Sequence, residues 1–240
     1  MKISGAVVMA AGFFAFSSLA AAAADAPKPL RHLEYHFNVG VRGETTVRDS
    51  GIGGGPASGV GATRSGIADT GTITADYMGL SGDGGAIYVV TEKGRDARRA
   101  EPAQCLVYPN TNVICEDKTV YDEEIALLRT LGKDFTHVGP LDANHHWQYR
   151  ETTPASTEVT DYTIKGENGG IVDLSVEDLM KTTGLTAYEA KATGGIKYNR
   201  TAGVPTWISL QSISHTSSGS NRGETNLELT LQSDSLASAH

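Results

Sequence analysis

Apolar side chains return at every second position through much of this 240-residue chain. In HLEYHFNVGVRGE, the residues Leu33, Tyr35, Phe37, Val39 and Val41 all share one phase. Successive strand residues point to opposite faces, so this period describes a strand with one buried side and one wet side. The final runs WISLQSIS and NLELTLQS alternate in the same way, with Ser, Thr, Gln or Glu on the second face. Strands of this kind must pair and must cover one face. The pattern therefore predicts an antiparallel sheet with a single wet face.

The strands expected after residue 150 are Thr157–Lys165, Gly170–Val176, Leu185–Ala192, Gly195–Arg200, Thr206–His215 and Gly223–Gln232. GENGG, KATGG and NRTAG are the expected turns between them. One segment breaks the period. In VYDEEIALLRTLGKDF, Tyr121, Ile125, Leu128 and Leu131 recur at helical spacing, with three carboxylates at the start and Gly132 after the last apolar residue. A central amphipathic helix over residues 122–131 follows. The fold class is mainly β: an antiparallel β-meander or half-barrel with one helix.

TADYMGLSGDGGAIYVVTEK and VTDYTIKGENGGIVDLSVED align without gaps, Thr74 against Val159. Asp-Gly and Asn-Gly accept the positive φ of tight hairpin turns. The alignment predicts a duplicated hairpin, and so two related halves, with Ile87 and Val89 equivalent to Val172 and Leu174.

The first residues, MKISGAVVMAAGFFAFSSLAAAAADAPKPL, carry a lysine, an apolar core from Val7 to Phe16 and an Ala22-Ala23-Ala24 cleavage pattern. They read as a signal peptide over residues 1–24, too short for a membrane span. The expected product is a periplasmic or secreted protein with no stable membrane span. It divides into an N-terminal strand region (25–50), a Gly-rich loop (51–66) and a main β domain (67–240). The Gly-rich run lacks the spacing of a dinucleotide loop, and no amphipathic helix follows it. A net charge of −8 without a Lys/Arg cluster argues against nucleic acid as a partner.

QCLVYPNTNVIC holds both cysteines. A loop at Pro109–Thr111 pairs Tyr108 with Asn112 and therefore sets Cys105 opposite Cys115. Nine residues between the thiols do not fit a redox C-x-x-C, and a zinc site needs more ligands nearby. In an oxidising compartment a structural disulfide is the expected outcome.

GGIKYNRTAGVPTWISLQSIS, followed by an alternating terminal strand, resembles the last strands of periplasmic lipoprotein-carrier-like half-barrels. Those proteins curl an antiparallel sheet around a hydrophobic groove covered by helix. The resemblance spans about the last 80 residues and the single helix, and transfers no functional residue. It implies a carrier of a lipid or similar apolar molecule. Tyr77, Tyr162, Trp147, Tyr149 and Trp207 are the aromatics expected on the apolar face.

Catalytic patterns are sparse. ADTGT contains an Asp-Thr-Gly at Asp69, but that chemistry requires two carboxylates sharing a proton, and the triplet occurs once. A turn is the simpler reading of it. Asp142, His145 and His146 supply zinc-ligand types, although adjacent strand histidines point to opposite faces. The sequence expectation is a non-enzymatic binding, carrier or envelope structural protein without a cofactor. A metal-dependent or aspartic hydrolase is the alternative.

Overall fold

The computed structural model describes residues 28–48, 60–94, 101–109, 112–116, 120–131, 146–184, 187–216 and 221–236. The expected signal peptide lies outside these residues.

The elements in chain order are β1 (Arg31–Arg48), β2 (Val60–Leu80), β3 (Ala86–Gly94), β4 (Ala103–Val107), β5 (Val113–Cys115), α1 (Asp122–Leu131), β6 (His146–Thr152), β7 (Ser156–Asn168), β8 (Ile171–Thr182), β9 (Tyr188–Asn199), β10 (Val204–Thr216) and β11 (Asn221–Asp234). All the strands join one antiparallel sheet in the order β5-β4-β3-β2-β1-β11-β10-β9-β8-β7-β6. The sheet is a meander whose first and last strands meet in the middle. The N-terminal strand is therefore not a separate region: β1 pairs with β2 on one side and with β11 on the other.

One face of the sheet carries the core, and register sets it out in cross-strand rows. Phe37, Leu229, Ile208, Ile196, Leu174 and Ile164 form one row, every member buried. Two residues further along each strand run Val39, Leu227, Leu210, Gly194, Val176 and Tyr162. The next row is Val41, Thr225, Ser212, Ala192, Asp178 and Thr160. Side chains shrink and exposure grows along this direction: on β1 exposure rises from 0% at Phe37 to 8% at Val39 and 38% at Val41.

The opposite end is filled by large rings. Tyr35 and Tyr198 are buried, and the Tyr35 hydroxyl donates to the Pro205 carbonyl at 2.8 Å. Arg31 of β1 closes this end with two hydrogen bonds to Asp234 of β11, at 3.0 and 2.5 Å.

Helix α1 forms as its pattern predicts. Glu124 accepts a hydrogen bond from the Tyr121 backbone N–H at 3.0 Å, half of a capping box. The helix touches β4 and β5 as well as β10 and β11, and Arg129 donates to Glu158 of β7 through both terminal nitrogens, one at 3.0 Å. In a flat sheet β4 and β7 would stand about 38 Å apart at a spacing of ~4.8 Å per strand. A ten-residue helix is about 15 Å long. Only a sheet curled around α1 satisfies both contacts, and the architecture is an open half-barrel with a helix in its concave side.

Several sequence expectations change. KATGG is not a turn: it lies inside β9, which runs unbroken from Tyr188 to Asn199. Gly194 serves close approach, since a Cβ there would sit 1.9 Å from the Ser209 carbonyl oxygen. The Gly-rich loop is shorter than expected, because Val60–Gly66 already belong to β2. Asp69 is likewise mid-strand rather than in a turn, in phase with Ile73 and paired with Val39.

The two aligned segments both form hairpins, and Gly84 and Gly169 both have positive φ. Their pairings are not equivalent. Leu80 pairs with Ala86 across five residues, whereas Asn168 pairs with Ile171 across two. An odd difference in loop length reverses the faces of the second strand. Val172 and Leu174 point inward, while Tyr88 and Val90 take that place in β3 and turn Ile87 and Val89 outward.

The disulfide occupies the expected register. Cys105 pairs with Cys115, their sulfurs bonded at 2.03 Å, and the Tyr108 N–H donates to the Asn112 carbonyl at 2.9 Å. Replacing both cysteines by serine is expected to cost about 2–3 kcal/mol, read as a lower urea midpoint. Gly194→Ala is expected to cost about 1–3 kcal/mol by forcing β9 and β10 apart, read as a lower thermal midpoint with the disulfide intact.

Candidate functional site

The concave face between α1 and the two walls of the half-barrel is the candidate site. Register decides which aromatic side chains line it. Tyr162 is buried, and Trp147 pairs with it on β6. Tyr149 follows in the same phase and packs edge-on against Tyr162, with ring centroids 6.1 Å apart at 82°. Burial pushes the Tyr162 hydroxyl well above its ordinary range, and the nearby Asp178 carboxylate adds to the shift. On the other wall, Tyr77 meets Tyr88 with centroids 5.5 Å apart. Four of the five expected aromatics therefore face inward.

Trp207 does not. It pairs with Thr230 and Lys197, one residue out of phase with the buried Ile208. Its Nε1–H donates to Glu228 at 2.9 Å, and Lys197 Nζ lies 5.9 Å from the ring centroid. The irregular pairing between Pro205 and Trp207 interrupts the alternation, so counting forward from the buried Pro205 puts this ring on the wrong face.

The underside of α1 is unusual for a packing helix. Its buried residues are Glu123, Glu124, Leu127, Leu128 and Thr130, so polar side chains outnumber apolar ones. Glu124 is fully enclosed. From the sheet, Asp69 of β2 and Glu92 of β3 also sit on the concave face, 8% and 5% exposed. Desolvation raises the Glu123 carboxyl above its ordinary value, and the charges of Asp122, Glu124 and Asp69 raise it further. The Asp69 carboxylate is thus close enough to the first turn of α1 for its charge to act on Glu123. A side chain at Gly94 would collide with Asp69 Oδ2 at 2.6 Å and with Phe37 Cζ at 2.9 Å, so the glycine makes room for the carboxylate. Asp69 Oδ1 accepts the Thr70 N–H at 2.7 Å.

At its other end α1 is fastened by Arg129. That guanidinium bridges to Glu158, with side-chain exposures of 36% and 13%. The helix thus bridges the curled sheet, touching β4, β5, β10 and β11 and reaching Glu158 on β7 through Arg129. The small residues Gly194, Ala192, Ser212 and Thr225 in the intervening rows leave height for a helix backbone.

Neither Glu92 nor Arg129 is marked by a motif. The signal that was available is phase: Asp69 follows Ile67 and Glu92 follows Val90, two residues on, so each belongs to the inward face.

Of the weak metal candidates, Asp142 and His145 lie outside the described residues. His146 is within hydrogen-bonding distance of Asp161, Nε2 to Oδ1 at 2.9 Å, and Gln148 donates to the same oxygen. Among the described residues no group of three or more His, Cys, Asp or Glu is arranged to hold a metal ion. Among them, too, no helix is long and apolar enough to cross a membrane.

Because Glu123 is raised in the folded protein, the folded state holds its proton more tightly than the unfolded chain does. Its contribution to stability is present below its ordinary value of 4.5 and is lost as pH rises through its raised folded value. Glu123→Gln is therefore expected to raise the thermal midpoint at neutral pH by a few degrees and to change it little at pH 4, measured by circular dichroism. The chain matches no protein-family model and no curated protein.

Proposed function

We propose that this protein is an exported, non-enzymatic carrier that binds an apolar molecule, a lipid or one of similar character, on the concave face of its half-barrel, with α1 as the displaceable cover. The observation that carries this reading is the make-up of the cover. A helix whose only role is to fill a core buries apolar side chains. Helix α1 buries Leu127 and Leu128 but also two carboxylates, over a sheet that contributes two more. Burying carboxylates is costly, and crowding them raises the cost. On the same concave face the row from Phe37 to Ile164 is apolar and buried from β1 to β7. The cover is thus held loosely over a surface that is itself strongly apolar.

Export rests on the N-terminal leader pattern. A disulfide between Cys105 and Cys115 suits the same compartment, since thiols stay reduced in the cytosol. The likeness of the C-terminal strands to lipoprotein-carrier-like half-barrels points the same way, and the curled open sheet with a covering helix is the architecture that likeness implies.

Arg129→Ala removes the link to β7 and favours the open cover. Binding of a naphthylamine fluorescent probe, measured by titration, is expected to tighten severalfold in this variant over the parent. A structural envelope protein would give no probe binding in either form and no lipid on solvent extraction of freshly purified material. That pair of results would sink the carrier reading.

A further inference from the structure

The mouth of the half-barrel carries charge as well as rings. Asp178 on β8 pairs with Thr160 on β7, and the Thr160 hydroxyl donates to Asp178 Oδ1 at 2.6 Å. Glu158 lies two residues from Thr160, in the same phase. Arg129 reaches from α1 to Glu158, and the charge of Asp178 acts on the same guanidinium. Burial works against a charge there. The hydrogen bond to Glu158 and the charges of Glu158 and Asp178 outweigh it and hold Arg129 above its ordinary value. Besides burial, which is the largest cause, Asp178 and Glu158 both raise the Tyr162 hydroxyl, against whose ring Tyr149 packs. One cation, two carboxylates and two tyrosines therefore meet at one place on the wall.

We propose that Arg129 holds the place of a ligand's cation: the molecule taken up on the concave face is an amphiphile whose ammonium head binds Glu158 and Asp178 at the mouth. This inference rests on the carrier reading of the same face. Lifting the cover withdraws Arg129, and with it the cation that Glu158 and Asp178 share. The Glu158 side chain is only 13% exposed, and removing the counterion of such a group is costly. A ligand that brings its own positive charge offsets that cost, whereas an anionic head adds to it. The place also marks a change in the wall. Val176 and Tyr162 are buried one row below Asp178 and Thr160, and the apolar row from Phe37 to Ile164 lies beyond them. A tail on the apolar rows brings its head to the carboxylates. Aromatic side chains beside those carboxylates suit a weakly hydrated alkylammonium, and the net charge of −8 draws cations toward the molecule.

The competing explanation is that Arg129 and Glu158 merely fasten the helix, in which case the head group of a ligand is indifferent. Decyltrimethylammonium, decyl maltoside and decanoate, each below its micelle concentration, separate the two by displacement of the naphthylamine probe. The ammonium compound is expected to displace the probe at a concentration about fivefold or more below the other two, by a wider margin in Arg129→Ala, and by a narrower one at high salt. Asp178→Asn, and Glu158→Gln in the Arg129→Ala background, are each expected to remove most of the margin. Glu228→Gln takes the same charge from the outer face and is expected to keep it. Circular dichroism and the intact Cys105–Cys115 bond certify each fold. Probe binding with no preference among heads, a preference for decanoate, a margin that survives both mouth variants, or one lost equally in Glu228→Gln overturns this inference alone. No probe binding in the parent or in Arg129→Ala sinks the carrier reading, and this inference with it.

Discussion

The pairing of β1 with β11 is the contact on which the rest of the molecule depends. It pairs the first strand with the last from Leu33↔Asp234 to Thr45↔Asn221, with one shift of register between Glu34 and Tyr35. Every other strand pair is a neighbour in sequence. Without this ladder there are two shorter meanders, β1–β5 and β6–β11, each with an additional open edge and half a core. The long inward side chains sit at this seam: Leu33, Tyr35 and Phe37 on one strand, Leu229 and Leu227 on the other. Arg31 and Asp234 lock its end with a bidentate pair, and that pair holds the Asp234 carboxyl below its ordinary value. Contacts this distant in sequence carry the largest loop-closure cost, so the seam is the slow step to expect in folding.

Once the seam is made, curvature follows from the helix. The β5-to-β6 connection must pass from one edge of the sheet to the other. A closed barrel would make this connection short. Here the connection contains α1, which crosses the concave side and is tied to β7 by Arg129 while touching β4 and β5. The helix sets how far the walls can open. Its buried carboxylates oppose the same contact, so the inward pull of Leu127 and Leu128 and the Arg129–Glu158 bond work against charge crowding near Asp69.

Features that depend on nearby residues were legible in the sequence. The helix ends where its carboxylates and Gly132 indicate, and the cysteine register follows from a three-residue loop. Features set by distant partners were not. Nothing local says that β1 belongs in the middle of the sheet. Gly194 carries turn chemistry, yet Ser209 across the strand decides its use. The aligned hairpins share a pattern up to the turn, but loop length, and not composition, fixes which face follows it. Of the candidate aromatics, Trp207 falls on the other face, and its phase with Ser209 and Gln211 marks it, since the buried Ile208 and Leu210 hold the opposite phase.

The open edges also explain where the disulfide stands. A bare sheet edge invites pairing with another chain, and proteins blunt such edges by keeping them short or covered. β5 is three residues long, too few for its pairs with β4 to hold it securely. The bond from Cys105 to Cys115 fixes the last of those pairs covalently, with one sulfur side of the hairpin buried in the core at Cys105. The same hairpin is a wall that α1 rests against. A staple at that point therefore does more than close a short loop. It keeps the shortest strand of the sheet in place as the abutment for the helix, and through the helix it holds the spacing of the concave face.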